Sequence, residues 1–318
     1  MQADEVKKVS VIGAGIMGHG IAISYALGGY KVTLNDVNDE VLDKALNRIR
    51  KAVETFAESA LISGDMVDQT LSRIHATSHL ETAAQEADII VEAVSEKLDL
   101  KRKLFARLDL LCPERTILAS NTSSLLIGDI GAEVKRKDKI LITHYFNPAH
   151  IVPVVEIARG AETSDETVDL LHGLLKKLKK VPIRINKEIP GLLINRIQNA
   201  IRREVWSLLE QGVASAEDID NAVKGTFGFR LASIGPLLTY DLAGLDTACQ
   251  VSRNLFPVIC DSHEVPLFIK KKVEEGALGR KSGKGIFDYS EEEWQEKVKQ
   301  RDKEFLERLK CLYWSKKD

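Results

Sequence analysis

The chain has 318 residues, of which 44% are hydrophobic and 29% are charged, a composition typical of a globular protein. Its formal net charge is only −2, so it offers no strongly basic surface to a nucleic acid, and we expect no nucleic acid partner. No window approaches the roughly 18 uncharged apolar residues of a transmembrane helix, so we expect no membrane span. The length predicts two domains.

The cysteines are few and widely spaced. No two of them form the CxxC pattern of a zinc ribbon or a redox dithiol, so we expect no metal site and a reducing compartment. The N-terminal residues lead directly into a strand-like segment and do not resemble a signal peptide, which predicts a cytoplasmic protein. The four cysteines are Cys112, Cys249, Cys260 and Cys311.

Up to residue 186, short β-branched segments alternate with longer segments of helical period. This alternation is typical of a doubly wound α/β fold with a mostly parallel sheet. Residues 39–78 are too many for one crossover helix, so they predict a helix pair inserted between the second and third of these segments. The predicted strands are 9–12, 31–34, 87–91, 116–119, 140–143, 154–157 and 181–185.

The strand pattern ends near Pro190 and Gly191, which interrupt regular structure. Residues 192–211 have a helical apolar period, and Ser215 has the position of a helix N-cap. We therefore predict an α/β domain over residues 1–188 and an all-α domain over 189–289. A charged helical tail, exposed to solvent, is predicted over 290–318.

The strongest local motif is Gly-Ala-Gly-Ile-Met-Gly at residues 13–18, between the first predicted strand and a predicted helix. Gly13 permits a tight turn, Gly15 lets the backbone approach a pyrophosphate, and Gly18 allows close packing of helix and strand. The turn, including Ile16 and Met17, then lies at the positive end of the helix dipole. This arrangement predicts a dinucleotide-binding, Rossmann-type domain.

Asp36 ends the second predicted strand, 18 residues after the last glycine of the motif. A carboxylate at this position accepts hydrogen bonds from the adenosine ribose and repels a 2′-phosphate, so we expect NAD rather than NADP. The alternative is that Asp36 is an ordinary turn residue beside Asn35 and Asn38.

His144 and Glu156 lie on two neighbouring predicted strands, 12 residues apart. Oxidation of a secondary alcohol needs a base near neutral pKa, and imidazole provides one. A carboxylate on the other ring nitrogen fixes the histidine tautomer. Ser123, in a polar turn after a strand, has a hydroxyl able to bind a substrate oxygen. The alternatives are a structural histidine and a serine that caps a turn.

Seven motifs, in this order, give the chain a close resemblance to the 3-hydroxyacyl-CoA dehydrogenase family up to about Tyr289. The resemblance implies a Rossmann-type sheet with an inserted helix pair, an all-α C-terminal domain, NAD as cofactor and a homodimer formed through the helical domain. The motifs are GAGIMG at 13–18, VEAVSE at 91–96, SNTSS at 120–124, HYFNP at 144–148, PGLLINR at 190–196, DLAGLD at 241–246 and GRKSGKG at 279–285.

The resemblance also implies roles for individual residues. His144 is then the catalytic acid and base, with Glu156 as its orienting partner. Ser123 and Asn195 are then placed at the substrate oxygen. Two charged residues that match family positions near the nicotinamide ribose are Glu96 and Lys101.

The substrate class stays open between two branches of the family. Residues 225–236 are longer than the usual segment and contain Arg230, and 150–153 also resemble the branch of lambda-crystallin and dehydrogenases of free hydroxy acids. An arginine is able to bind a free carboxylate through two hydrogen bonds, although Arg230 is equally interpreted as a surface residue. Residues 121–125 and 279–285 instead resemble bacterial 3-hydroxybutyryl-CoA dehydrogenases.

We therefore expect an NAD-dependent dehydrogenase of short-chain L-3-hydroxyacyl-CoA. The first alternative is a dehydrogenase of a free 3-hydroxy acid, with Arg230 as a substrate ligand. The second is a protein of another class, which retains the dinucleotide fold as a structural or sensor protein without turnover.

Overall fold

A computed structural model describes residues 2–315 and contains one eight-stranded sheet within them. The strands are β1 (Lys8–Ile12), β2 (Lys31–Asn35), β3 (Ile74–Thr77), β4 (Ile89–Glu92), β5 (Ile117–Ser120), β6 (Ile140–Tyr145), β7 (Val154–Arg159) and β8 (Val181–Ile185). Their order across the sheet is β3-β2-β1-β4-β5-β6-β7-β8. Among the strand pairs of residues 8–185, β6 and β7 are antiparallel and all others are parallel. The predicted doubly wound sheet is confirmed.

Helices connect the strands and then continue without strands. Those of the sheet region are α1 (Gly18–Leu27), α2 (Asp39–Glu58), α3 (Asp65–Ser72), α4 (Leu80–Ala84), α5 (Leu98–Leu111), α6 (Ile127–Ile130) and α7 (Asp165–Lys177). Those that follow are α8 (Ile194–Glu210), α9 (Ala216–Gly225), α10 (Phe227–Leu231), α11 (Pro236–Ala243), α12 (Leu245–Leu255), α13 (Leu267–Glu274) and α14 (Glu291–Leu309). A 3₁₀ turn (Lys137–Lys139) precedes β6, and a π-helical turn (Lys310–Trp314) follows α14.

The sheet is buried on both faces, as expected for parallel strands flanked by helices. Every residue of β4 and β5 is buried, and so are eight of the ten residues of α1. Helix α2 instead has one apolar stripe at helical spacing, and the side chain of Asn38 caps its first turn by accepting from two backbone amides. The amphipathic sequence of α2 therefore sets which of its faces packs inward.

Strand β3 was not among the predicted strands. This strand has only four residues, lies at the edge of the sheet and pairs with β2, with Val32 opposite Ile74. Its sequence, Ile-His-Ala-Thr, has no continuous apolar segment, and none of the four residues is fully buried. The predicted helix pair is present as α2 and α3, but it is followed by β3 before the chain enters α4 and β4.

The described chain divides into two compact units. One runs up to Leu193 and includes the chain again from Asp302, and the other is Ile194–Arg301. The predicted boundary at residue 188 therefore lies five residues before the division in the structure. The difference arises because residues 189–193 pack with the sheet: Leu192 is buried in the cluster that contains Ile90 and Ile142.

Among its described residues, the second unit is helical, apart from one isolated bridge between Gly279 and Lys284. Ile219 is the one apolar side chain that is buried among residues 194–301. Large apolar side chains are exposed instead, including Leu237 at 81% and Phe229 at 75%. A unit with so little buried apolar surface obtains little stability from its own core.

The terminal helix forms at the predicted place, and most of its residues are exposed, but two of its leucines are buried. Leu306 and Leu309 are only 1% and 3% exposed, and they pack with Phe56 and Ile151 of the first unit. Their spacing places them on one face of α14, where an apolar contact outweighs the surrounding charged residues that dominate the sequence of this segment. Residues 302–315 are therefore part of the first unit.

Two further expectations concern the cysteines and the membrane-spanning segments. The four cysteines, all within residues 2–315, are free thiols, and Cys112 is buried. Within the same residues, no helix combines the length and apolar character that crossing a bilayer requires.

Candidate active site

The glycine motif forms the turn between β1 and α1. Gly13 has a φ of +103°, and a Cβ there would lie 2.6 Å from the carbonyl oxygen of Ala93. A Cβ on Gly18 would lie 1.7 Å from the carbonyl oxygen of Gly13. Both positions therefore require glycine for the turn itself. A Cβ on Gly15, by contrast, would meet nothing within 4 Å, so the backbone at Gly15 faces open space in which a ligand is able to approach.

The remaining residues of the motif surround this open position. Ile16 is 65% exposed, while Met17 is partly buried and packs against the main core cluster. Asp36 follows β2, and its Oδ2 accepts a hydrogen bond of 2.8 Å from the backbone amide of Ala14. The carboxylate predicted to bind a ribose is thus held directly beside the glycine turn.

A cleft of about 590 Å³ extends along the carboxyl ends of β1, β2 and β4. Gly13, Gly15 and Asp36 line it from the strand side, and Leu100 and Leu104 of α5 line it from the other. The strand order reverses between β1 and β4, and ligands of open α/β sheets bind at such a reversal. The cleft, the open backbone at Gly15 and the carboxylate of Asp36 fit a dinucleotide.

His144 and Glu156 are direct partners across the antiparallel pair of β6 and β7. The Nδ1 atom of His144 lies 2.7 Å from Oε2 of Glu156, and both side chains are buried. The backbone amide of Leu193 donates to the other carboxylate oxygen at 3.0 Å. Because a carboxylate only accepts, Nδ1 is the donating nitrogen, and Nε2 is left as the ring atom able to exchange a proton with a substrate.

Ser123 lies in the turn after β5, which is the parallel neighbour of β6. This turn is tied to the end of β6 because Oδ1 of Asn121 accepts from the backbone amide of Tyr145 at 2.8 Å. The structure therefore brings the turn of Ser123 and the strand end of His144 to the same edge of the sheet. Sequence reasoning assigned no role to Asn121, although it stands inside the SNTSS motif.

Glu96 organises the same turn. Its Oε1 accepts from the hydroxyl of Thr122 at 2.5 Å, from the backbone amide of Ser123 at 3.0 Å, and from the amide and hydroxyl of Ser124 at 3.2 and 2.9 Å. Its Oε2 lies 3.2 Å from Nζ of Lys101. Glu96 thus fixes the backbone on either side of the Ser123 hydroxyl.

Lys101 is buried between two carboxylates. Its Nζ lies 2.6 Å from Oε1 of Glu92, which is itself completely buried and also accepts from the hydroxyl of Ser120 at 2.6 Å. The two carboxylates provide partners for a side chain whose burial alone would be costly. Glu92 was not predicted as a site residue. The pairing of β4 with β5 brings Ser120 to it, and α5 brings Lys101.

The pKa of Glu96 is lowered from its usual value. Partial burial opposes ionisation, but the hydrogen bond from Thr122, the charge of Lys101 and the hydrogen bonds from Ser124 and Ser123 together outweigh burial. The carboxylate is therefore ionised at neutral pH, in the form that accepts all of these hydrogen bonds.

Two predicted site residues belong to the second unit. Asn195 lies in the first turn of α8, where its backbone carbonyl accepts from the side chain of Asn199 at 2.7 Å. Arg230 lies in α10 and is exposed. Their assignment to the substrate stays a prediction. Among residues 2–315, no group of three or more His, Cys, Asp and Glu side chains is arranged to hold a metal ion.

Comparison with known proteins agrees with the dinucleotide site. Residues 8–189 match the family described as 3-hydroxyacyl-CoA dehydrogenase, NAD binding domain, and residues 191–289 match its C-terminal domain. The chain is similar to the probable 3-hydroxybutyryl-CoA dehydrogenase of Bacillus subtilis, with 37% identity over 288 residues that cover 90% of this chain and 99% of that protein. It is also similar to the lambda-crystallin homolog of Homo sapiens, with 34% identity over 271 residues, 84% of this chain and 85% of that protein.

Among solved structures, the fold is similar to 5-formyl-3-hydroxy-2-methylpyridine 4-carboxylic acid 5-dehydrogenase, described as an NAD⁺-dependent dismutase. The TM-score is 0.90, with 29% identity, over 96% of this chain and 98% of that chain. The enzyme of this activity from Mesorhizobium japonicum is 31% identical over 288 residues, 91% of this chain and 92% of that protein. These matches, together with the cleft beside Gly15 and Asp36, show that the cofactor is NAD.

Two glycines of the turn, Gly15 and Gly18, should respond differently to replacement by alanine. Gly15→Ala should leave the free energy of unfolding unchanged, because its Cβ meets nothing within 4 Å, but it should weaken NADH binding, because the new methyl group enters the ligand's space. Gly18→Ala should lower the free energy of unfolding by about 1–3 kcal/mol or more, because its Cβ overlaps a carbonyl oxygen. Urea denaturation and fluorescence titration with NADH measure the two effects.

Gly64→Ala is the matched control, because a Cβ there also meets nothing within 4 Å and Gly64 does not line the cleft. It should bind NADH as the wild type does. Unchanged NADH affinity in Gly15→Ala would contradict the proposed approach of the cofactor to this turn.

The hydrogen bonds of Glu96 predict a pH-dependent contribution to stability. Because the pKa of Glu96 is lower in the folded than in the unfolded chain, the stabilisation is complete above the unfolded pKa of about 4.3. This stabilisation is lost as the pH falls through the pKa that Glu96 has in the folded chain. The difference in free energy of unfolding between wild type and Glu96→Gln should therefore be constant near neutral pH and shrink under acid conditions.

Urea denaturation at a series of pH values checks this expectation, with Glu54→Gln on the exposed face of α2 as the control. A stability difference between wild type and Glu96→Gln that does not change with pH would contradict it.

Proposed function

Because this chain belongs to the 3-hydroxyacyl-CoA dehydrogenase family and is an NAD-dependent oxidoreductase, we propose that it interconverts short-chain L-3-hydroxyacyl-CoA and 3-ketoacyl-CoA. The observation that carries this proposal is the buried hydrogen bond of 2.7 Å between His144 and Glu156. NAD, when bound, carries the hydride in both directions of the reaction. The protein must supply proton transfer, orientation and binding.

In this proposal His144 is the acid and base. In the oxidation direction, Nε2 takes the proton of the substrate hydroxyl, while Nδ1–H continues to donate to Glu156. In the reduction direction, Nε2 returns that proton to the substrate oxygen. The carboxylate stabilises the imidazolium form, and the amide of Leu193 keeps the carboxylate from turning away.

Ser123 and Asn195 are proposed to hold the substrate oxygen that becomes the carbonyl. The hydroxyl of Ser123 is suited to this role because Glu96 and Asn121 fix the turn that carries it. Asn195 is proposed by resemblance to the family and lies near the start of α8.

The cofactor-binding residues are proposed to be those of the glycine turn and its surroundings. Gly13, Gly15 and Gly18 shape the turn, with Ile16 and Met17 beside the ligand, and Asp36 accepts hydrogen bonds from the adenosine ribose. Glu96 is proposed to lie near the nicotinamide ribose. Lys101 is proposed to act through Glu96, because its ammonium is buried and already held by two carboxylates.

The second candidate is a dehydrogenase of a small molecule with a free carboxylate. It is favoured by the TM-score of 0.90 to an enzyme named for a pyridine carboxylic acid, and by the similarity to a lambda-crystallin homolog. In this alternative Arg230 binds the carboxylate through its guanidinium.

A homodimer is proposed from the second unit. Its large apolar side chains, such as Leu237, Phe229 and Leu267, are exposed, and burial against a second copy would remove them from water. Light scattering should give twice the chain mass of 35.3 kDa. A mass of one chain would contradict the dimer.

Oxidation of NADH with acetoacetyl-CoA and with free acetoacetate tests the function. Acetoacetyl-CoA should give the higher kcat/KM, and His144→Ala should lower kcat by about 10²–10⁴ while NADH affinity is kept. Nearly normal kcat in His144→Ala would contradict the role of the base.

Arg230→Ala decides between the two substrate classes in the same assay. If acetoacetate is the better substrate and Arg230→Ala impairs only its turnover, the free-acid alternative is correct. No turnover with any 3-keto substrate would contradict both proposals.

A further inference from the structure

The C-terminal segment 302–315 packs on the first unit in a way that the proposed reaction does not explain. Its Leu306 and Leu309 are buried with Phe56 and Ile151, and Trp314 packs against the same cluster. The segment lies beyond residue 289, where the match to the family ends. It is nevertheless in contact with elements that approach the cofactor turn.

Four aromatic rings connect this segment to the glycine turn. The ring centroid of Trp314 lies 5.9 Å from that of Phe56, and Phe56 lies 6.0 Å from His150. The ring of His150 lies 6.0 Å from that of His19 in the first turn of α1. Nδ1–H of His19 donates to the carbonyl oxygen of Gly15 at 2.8 Å. The series of rings therefore ends at the carbonyl group of Gly15, the residue at which the glycine turn faces open space.

The loop that carries His150 is held by its backbone. Nζ of the buried Lys180 donates to the carbonyl oxygens of Ala149 and Val152 at 2.7 and 2.9 Å. A Cβ on Gly20 would lie 2.9 Å from Nδ1 of His150, so α1 also approaches the ring closely. The ring of His150 is itself in contact with the two rings that flank it, those of Phe56 and His19.

His19 is suited to be the last member of this series. Burial lowers its pKa, the hydrogen bond to the carbonyl of Gly15 opposes that change, and the charge of Arg48 lowers the pKa further. The ring is therefore neutral at neutral pH, with the proton on Nδ1 that the carbonyl of Gly15 accepts. A displacement of the His19 ring would remove this hydrogen bond and leave the carbonyl of Gly15 with the weaker one of 3.4 Å from the backbone amide of His19.

Trp314 limits the movement of the series at its outer end. The ammonium of Lys179 lies 4.7 Å from the indole centroid, a cation–π distance that fixes the indole on the unit. A cavity of about 120 Å³ lies beneath the segment, lined by Trp314, Leu309, His150 and Lys180. Loss of the indole would enlarge this space and let the rings of Phe56 and His150 shift into it.

We propose that Trp314 is a positioning residue for NAD binding. It holds Phe56 against His150, and through His150 and His19 it keeps the carbonyl of Gly15 in the position that the dinucleotide requires. The C-terminal segment is thus a working part of the cofactor site.

A double-mutant cycle in the full-length protein tests this proposal, with the dissociation constant of NADH and the thermal unfolding temperature as readouts. Trp314→Ala and His150→Ala should each weaken NADH binding about three- to tenfold, the size expected for one aromatic contact. In the His150→Ala background, Trp314→Ala should have no further effect on the dissociation constant, because its influence passes through His150.

Trp314→Phe keeps an aromatic ring and should bind NADH with wild-type affinity. Tyr313→Ala changes an exposed neighbour in the same turn and should leave the NADH affinity unchanged. If Trp314→Ala does not fold, Trp314→Leu takes its place in the cycle. A lower unfolding temperature with unchanged NADH affinity would show a purely structural role and overturn the proposal. An equal loss of affinity in both backgrounds would overturn it as well.

Discussion

The antiparallel pairing of β6 with β7 is the constraint on which the candidate active site depends. In this register His144 stands directly opposite Glu156, with both side chains on the same face of the sheet. A shift of one residue would turn one of the two side chains to the other face and separate the pair. The other strand pairs in residues 8–185 are parallel, so this one reversal gives the sheet a short loop between two neighbouring strands. The proposed catalytic pair of His144 and Glu156 therefore depends on this antiparallel pairing.

The carboxyl edge of the parallel strands supplies the rest of the site. The glycine turn follows β1, Asp36 follows β2, and the turn of Ser123 follows β5. Each is held by a backbone or carboxylate hydrogen bond to a neighbouring strand end, so the positions of cofactor and substrate residues are mutually fixed. The buried ion pairs of Lys101 belong to the same edge, where they support Glu96 and through it the Ser123 turn.

Features with strong local signals were predictable from the sequence. The glycine turn was predictable because Gly13 and Gly18 each stand where no side chain fits. The β-branched strands and the amphipathic α2 follow from periodicity. The pairing of His144 with Glu156 was accessible because a short loop between two strands leaves few registers.

Features that depend on distant partners were not predictable in this way. The four residues of β3 become a strand only because β2 offers an edge to pair with. Leu306 and Leu309 stand in a highly charged segment, and only the apolar surface around Phe56 explains their burial. Glu92 stands inside the VEAVSE motif, but its role could not be predicted locally, since its partners Ser120 and Lys101 come from other elements.

The central claim is that Glu156 acts through His144, and a double-mutant cycle in kcat tests it most directly. Glu156→Gln keeps the shape of the side chain but removes its charge, so it should lower kcat in the wild-type background. It should have almost no further effect in His144→Ala, because the residue it orients is gone. NADH affinity measured in all four proteins confirms that the first unit is folded. Equal losses of kcat from Glu156→Gln in both backgrounds, or a wild-type kcat in the single variant, would contradict the account.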